Sequence, residues 1–266
     1  MSTFTGSQRH PARTANHSPR GPAVRGLAGG IQEIALLATL WIFYSLSRLV
    51  AADDLSSARG RAGDLLHLER YVHLDIEAWL NQALAPINGI AVPMSFWYAS
   101  LHYLVTPAVL AFLYFWHRSD YAPARNAIVI GSAIGLVCYL LVPMAPPRLM
   151  PDSGYLDVLA QTSSVGWWGG DASAPAGLGH ITNELAAMPS LHVGWTVWVA
   201  WAVWPHTGRL GRALACAYVA GTFLVVIATG NHWVLDAVAG AAVIGLGILV
   251  ADRLARRRAR PDPSTP

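Results

Sequence analysis

Six long apolar stretches, at about 31–50, 90–116, 124–146, 187–204, 210–229 and 231–251, set the terms on which this chain can fold. Each is near the ~20 residues with which a helix, rising 1.5 Å per residue, crosses a hydrocarbon core of ~30 Å. Only 12% of the residues are charged, about half the fraction of a soluble domain, so the bilayer is the expected solvent. The fold class that follows is all-α, an integral membrane bundle of six transmembrane helices. Its orientation comes from the basic residues, all of them Arg: 13 of the 18 fall on one side, at Arg9, Arg13, Arg20, Arg25, Arg118, Arg125, Arg209, Arg212, Arg253, Arg256, Arg257, Arg258 and Arg260. By the positive-inside rule both termini are cytoplasmic, and the loops at 51–89, 147–186 and around Gly230 face outward. The expected location is a bacterial plasma membrane.

Residues 1–30, rich in Ser, Pro, Gly and Arg without apolar periodicity, read as a disordered cytoplasmic tail. The membrane domain then runs over 31–252, and 253–266 form a basic cytoplasmic tail. The first stretch has a rival reading as a signal peptide ending near Val50-Ala51-Ala52, against which stand its length and Arg flanks. The net charge of +3 is spread over the ends of the apolar stretches rather than gathered on one soluble face, which excludes a nucleic-acid partner. Cys138 and Cys216 fall inside apolar stretches, so they suggest neither a disulfide framework nor a thiolate metal site, and read as small core residues. In the first outer loop Leu65, Leu68, Val72, Ile76, Trp79 and Ala83 recur at helical spacing with Glu69, Asp75 and Glu77 between them. That pattern fits an amphipathic interfacial helix or one capping the bundle. The second outer loop, about 40 residues with several glycines, is long enough to act as a lid.

Three polar clusters share the outer face: Pro146-Pro147-Arg148, Pro189-Ser190-Leu191-His192, and Asn231-His232-Trp233-Val234-Leu235-Asp236. The fourth and sixth stretches both run inward from that face, so each points a positive helix N-terminus at it, and two such ends make an anion site. His232 and Asp236 stand four residues apart, near enough on a helix for the carboxylate to fix the imidazole tautomer and leave the other nitrogen as a nucleophile. His192 is placed to give a proton to a leaving oxygen. Ser190 and nearby amides suit the non-bridging oxygens of a phosphate, and Arg148 suits a bidentate clamp on them. A structural His–Asp pair or a metal site of two His and one Asp are the rival readings. Three ionisable groups at helix ends on one membrane face argue for function instead, without a metal or other cofactor.

Pro189-Ser190-Leu191-His192 and His232-x-x-x-Asp236, following the Arg148 segment, resemble the signatures of the type 2 phosphatidic acid phosphatase superfamily across about residues 60–250. The resemblance implies His232 as nucleophile, Asp236 as its partner, His192 as acid, and Arg148 and Ser190 as phosphate ligands. Leu141 stands where that family has Lys, Leu149 where it has Pro, Leu191 where it has Gly, and Val226 where it has Arg. The Ala145-Pro146-Pro147, Met188-Pro189-Ser190-Leu191-His192 and Thr229-Gly230-Asn231-His232 runs look more like the inositolphosphotransferase branch, which includes inositol phosphorylceramide synthases. That branch exchanges phosphodiesters, which carry less charge than phosphomonoesters.

The implied function is a phosphatase or phosphotransferase acting on a lipid phosphate or lipid phosphodiester in the bilayer, the acceptor being water or a hydroxyl. His102, expected near mid-membrane, and His180 and Glu184, near the lid, are candidates for supporting the catalytic side chains without touching the substrate. Trp195, Trp198, Trp201 and Trp204 read as packing and lipid contact. A vanadate peroxidase would use a similar pocket but not a membrane. A non-catalytic scaffold or transporter would keep the helices without needing His192, His232 and Asp236.

Overall fold

The structure, a computed structural model, describes residues 55–151, 153–168 and 183–258, together with Ala35, Thr39 and Ile42. At the isolated positions, Thr39 Oγ1 donates to the Ala35 carbonyl at 2.7 Å, as in a helical turn. The expected first span, the N-terminal tail and the end of the C-terminal tail lie outside the described residues, apart from these isolated positions.

From Leu55 onward the described chain is helical, with no strand beyond an isolated bridge between Met144 and Ala186. Its helices are α1 (Leu55–Tyr71), α2 (Glu77–Leu84), α3 (Asn88–Trp116), α4 (Arg118–Leu141), α5 (Val158–Gln161), α6 (Leu191–Val203), α7 (Arg209–Ala228) and α8 (Val234–Arg258). Short 3₁₀ turns at Pro147–Leu149 and Trp204–His206 join them. Among the described residues four helices, α3, α4, α7 and α8, are long and apolar enough to cross a membrane.

The stretch expected to span at 187–204 becomes α6, 13 residues long, or ~20 Å at 1.5 Å per residue. Its start is delayed because Pro189 bars its predecessor from the helical region, and Ser190 then takes an extended conformation as N-cap. Helix α4 also starts earlier and ends earlier than the apolar run suggested. It stops at Leu141, two residues before Pro143, and the chain there turns into the Arg148 segment.

The helices pack through small residues. Gly131 on α4 lies against Ile244 on α8, and Gly247 on α8 lies against the Ala127 carbonyl, so these two backbones run close together. Leu113, Trp198 and Ile244 fill the centre of one cluster from α3, α6 and α8. Trp198 is fully buried and donates its indole N–H to the Ala124 carbonyl at 2.8 Å, while Trp195 donates to Ser132 Oγ at 2.9 Å. The tryptophans therefore tie helices together. The cysteines are not core residues: Cys138 is half-buried and Cys216 exposed.

The stretch expected as the first outer loop is helical, as its spacing predicts, though not as one helix. It forms two helices, α1 and α2, broken where His73 takes φ 58°. Of the apolar series Leu65 is buried, but Leu68, Val72, Ile76 and Trp79 are exposed. The buried face of α1 is Ala58, Ala62, Leu65 and Glu69, and that of α2 is Glu77, Leu80 and Asn81. The two acids turn inward because helix α8 offers them free N–H groups, described below. Asn81 binds the loop as well: its amide donates to the carbonyls of Leu156 and Ala228 at 2.9 and 2.8 Å and accepts from the Leu156 N–H at 2.7 Å. The described part of the stretch expected as the second outer loop is docked rather than free. Trp168 is buried and donates to the Leu159 carbonyl at 3.0 Å, and Thr162 donates to Ser95 on α3 at 2.8 Å. Much of the expected lid falls on residues 169–182, outside the described ones.

Candidate active site

His232 sits in the turn between α7 and α8. Gly230, at φ 73°, lets the chain reverse there, and the N–H groups of Asn231 and His232 both donate to the Val226 carbonyl, at 3.2 and 3.1 Å. The imidazole is nearly buried. Its Nδ1 lies 2.9 Å from the Ala187 carbonyl and 3.5 Å from Asp236 Oδ2. A carbonyl only accepts, so Nδ1 carries the proton and Nε2 keeps its lone pair. The sequence assigned the whole orienting role to Asp236. The structure divides it, with the shorter contact going to Ala187.

Asp236 has a second task. Its Oδ2 accepts from the Trp233 N–H at 2.9 Å, the reach-back of a third-position acid to the N-cap of α8. The next two N–H groups are also taken, Val234 by Glu77 Oε1 at 2.9 Å and Leu235 by Glu69 Oε1 at 2.7 Å. Three of the four free amides of the first turn thus hold three carboxylates. This corrects the expectation of an anion site at two helix ends: the free N–H groups at the end of α8 are already taken by carboxyl groups of the chain itself. The end of α6 is capped by Ser190, which is fully buried, accepts from the Val193 N–H at 3.5 Å through Oγ, and donates its own N–H to the Asp236 carbonyl at 2.8 Å.

His192, in the first turn of α6, stands 5.7 Å from His232 between ring centres. Tyr98 stacks on it at 4.3 Å, and His102 meets it edge to face at 4.4 Å. His102 lies 14 positions along α3, roughly 21 Å from its start, so the histidines meet near the middle of that 29-residue helix. Expected at different depths, His102 and His192 are at one level.

Arg148 is anchored through its backbone N–H to the Gly230 carbonyl at 2.9 Å and through Nε to Asn231 Oδ1 at 3.0 Å. One terminal nitrogen, Nη1, lies 3.6 Å from Glu184 and 3.8 Å from Asp157. Glu184 therefore belongs beside the site, while His180 lies outside the described residues. Among the described residues no group of three or more His, Cys, Asp or Glu is disposed to hold a metal ion.

Of the expected set, His232, Asp236, His192, Arg148, Ser190, His102 and Glu184 thus gather around one end of α6 and α8. Sequence reasoning assigned no part in the site to Tyr98, Asn231, Asp157, Glu69 or Glu77. For Glu69 a signal existed: Ala58, Ala62, Leu65 and Glu69 continue one helical seam, while the more apolar Leu68 and Val72 lie off it.

The family model described as the PAP2 superfamily matches residues 63–250, most of the chain. No curated protein and no solved structure matches it.

Proposed function

This chain belongs to the PAP2 superfamily, and on that premise we propose that it attacks lipid-linked phosphate with His232 through a phosphohistidine. Membership supports a phosphatase or phosphotransferase and hence an enzyme; the four apolar helices indicate a membrane protein. In the proposed first step Nε2 of His232 attacks phosphorus while the leaving oxygen takes a proton from His192. In the second, an acceptor hydroxyl gives its proton back to His192 and its oxygen displaces the imidazole. Arg148 and the Ser190 hydroxyl hold the non-bridging oxygens. His102 supports His192 and Glu184 supports Arg148. These side chains supply the charge and protons that the two steps use, so the reaction is proposed to be metal-independent. The observation that carries the reading is the Nδ1 contact with Ala187 at 2.9 Å, which leaves Nε2 as the nucleophilic nitrogen.

In the proposed topology the stretch at 31–50 and α6 complete six spans, with both termini cytoplasmic and the site on the extracytoplasmic face of a bacterial plasma membrane.

A second reading, transfer between phosphodiesters as in the inositolphosphotransferase branch, is favoured by the charge around the site. Arg148 already faces two carboxylates, and α8 is capped by three. Val226, where the superfamily has Arg, is fully buried beneath the His232 turn, and Leu141, where it has Lys, is exposed. A monoanionic diester suits so acidic a setting better than a dianionic monoester. Product mass spectrometry separates the two after incubation with phosphatidic acid, or with phosphatidylinositol plus a lipid alcohol. Release of free phosphate supports hydrolysis, a new phosphodiester supports transfer, and turnover of neither overturns the assignment as an enzyme of lipid phosphates.

A further inference from the structure

Capping one helix end takes one or two acceptors, yet the first turn of α8 receives three carboxylates from three different helices. Glu69 and Glu77 are both fully buried, and they reach residues 166 and 157 positions further along the chain. What they hold are the amides of Leu235 and Val234, which follow within three residues of His232. Each acid spends one oxygen there, and Glu69 Oε2, Glu77 Oε2 and Asp236 Oδ1 are buried with no hydrogen-bond partner among the described residues.

Three ionised carboxylates buried together repel one another, so the arrangement favours a proton among them. Glu69 is faced by Glu77 from α2, by Asp236 from α8, and by the Tyr155 phenol from the loop before α5. Burial, then the charges of Glu77 and Asp236, push its carboxyl up to about 9 against the lowering effect of the Leu235 N–H. A proton on Glu69 donates to Glu77 and gives two stranded oxygens a partner.

We propose that Glu69 and Glu77 are positioning residues for His232: sharing one proton, they fix the first turn of α8 and so the place of the imidazole beside His192. This rests on the phosphohistidine reading above. Their effect reaches the reaction through the backbone of residues 233–235.

The test follows the full-length protein in detergent across pH, with p-nitrophenyl phosphate as the probe of turnover and thermal unfolding as a readout that needs no substrate. Wild-type kcat falls above a pH of about 9 with KM little changed, as Glu69 loses its proton. Glu69→Ala lowers kcat by about 10²-fold, the loss that a ~1 Å misplacement brings. Glu69→Gln accepts from Leu235 and donates to Glu77 without titrating, so it recovers most of that kcat and removes the alkaline fall.

The unfolding arm has a definite sign. Because the carboxyl rises from its ordinary 4.5 to about 9 in the fold, its contribution to stability is complete below about 4.5 and is lost as pH climbs to about 9. Wild-type Tm drops across that window and Glu69→Gln flattens the drop. An unflattened Tm profile, a Glu69→Gln variant that keeps the alkaline fall, or a Glu69→Ala variant with wild-type kcat overturns the proposal. A His232→Ala variant that still turns over the probe overturns the phosphohistidine reading instead, and the Tm profile then decides the shared proton by itself.

Discussion

Replacing Asp236 with Asn separates its two roles. The Asn side-chain oxygen still accepts from the Trp233 N–H, so the reach-back bond to the N-cap is kept and stability is expected to change by less than the ~1 kcal/mol of one hydrogen bond. Nδ1 of His232 keeps the Ala187 carbonyl, so the tautomer survives as well. What disappears is the negative charge 3.5 Å from a ring that becomes cationic as Nε2 bonds to phosphorus, worth about 5 kcal/mol by Coulomb's law at an effective dielectric of about 20. The expected loss in kcat is therefore several thousandfold, approaching about 10⁴. That is close to the ~10⁴ of a triad aspartate, although here the Ala187 carbonyl keeps the tautomer. Steady-state kinetics and a thermal melt on the same preparation measure both quantities. Asp236→Asn within tenfold of wild type would show that Asp236 only caps α8, and a variant that unfolds would show that the charge itself holds the turn.

Three further outcomes follow from the same geometry. His192→Ala loses far more activity on alkyl phosphates than on an aryl phosphate, whose leaving oxygen needs no proton, and equal losses on both would remove His192 as the acid. Arg148→Lys keeps the charge but loses the Nε bond to Asn231, and a fall of roughly tenfold in kcat/KM is expected by steady-state assay, since the ammonium lacks the guanidinium fork. Gly240→Ala puts a methyl group into the Ser190 carbonyl and displaces the α6 cap from α8, so a melt should register a loss of about 1–3 kcal/mol.

The parts of the fold legible in the sequence are those governed by long apolar runs. Helices α3 and α7 lie close to where hydropathy placed them, α3 in spite of Pro93 and Pro107 inside it, and α8 runs on to Arg258. Helix α6 falls short of its apolar run because Met188-Pro189-Ser190 stops helix formation, a backbone effect that hydropathy does not register. The site histidines were legible because ionisable groups stand out in an apolar background. Their backbone partner was not: Ala187 acts through its carbonyl, and a carbonyl has no residue type. Glu69 and Glu77 were hidden for the opposite reason. Charged residues on an outer loop read as a solvated face, and only the fold turns them toward the free N–H groups of α8, leaving Leu68, Val72 and Trp79 exposed in their place.

The central claim is that phosphorus passes through His232. Rapid acid-free quenching of the protein with ³²P-labelled lipid phosphate, followed by peptide mapping, tests it most directly. An acid-labile, base-stable phosphate is expected on the peptide containing His232, absent from His232→Ala and unaffected by a chelator. Turnover with no adduct on that peptide, or activity abolished by chelation and restored by a divalent metal, would contradict it.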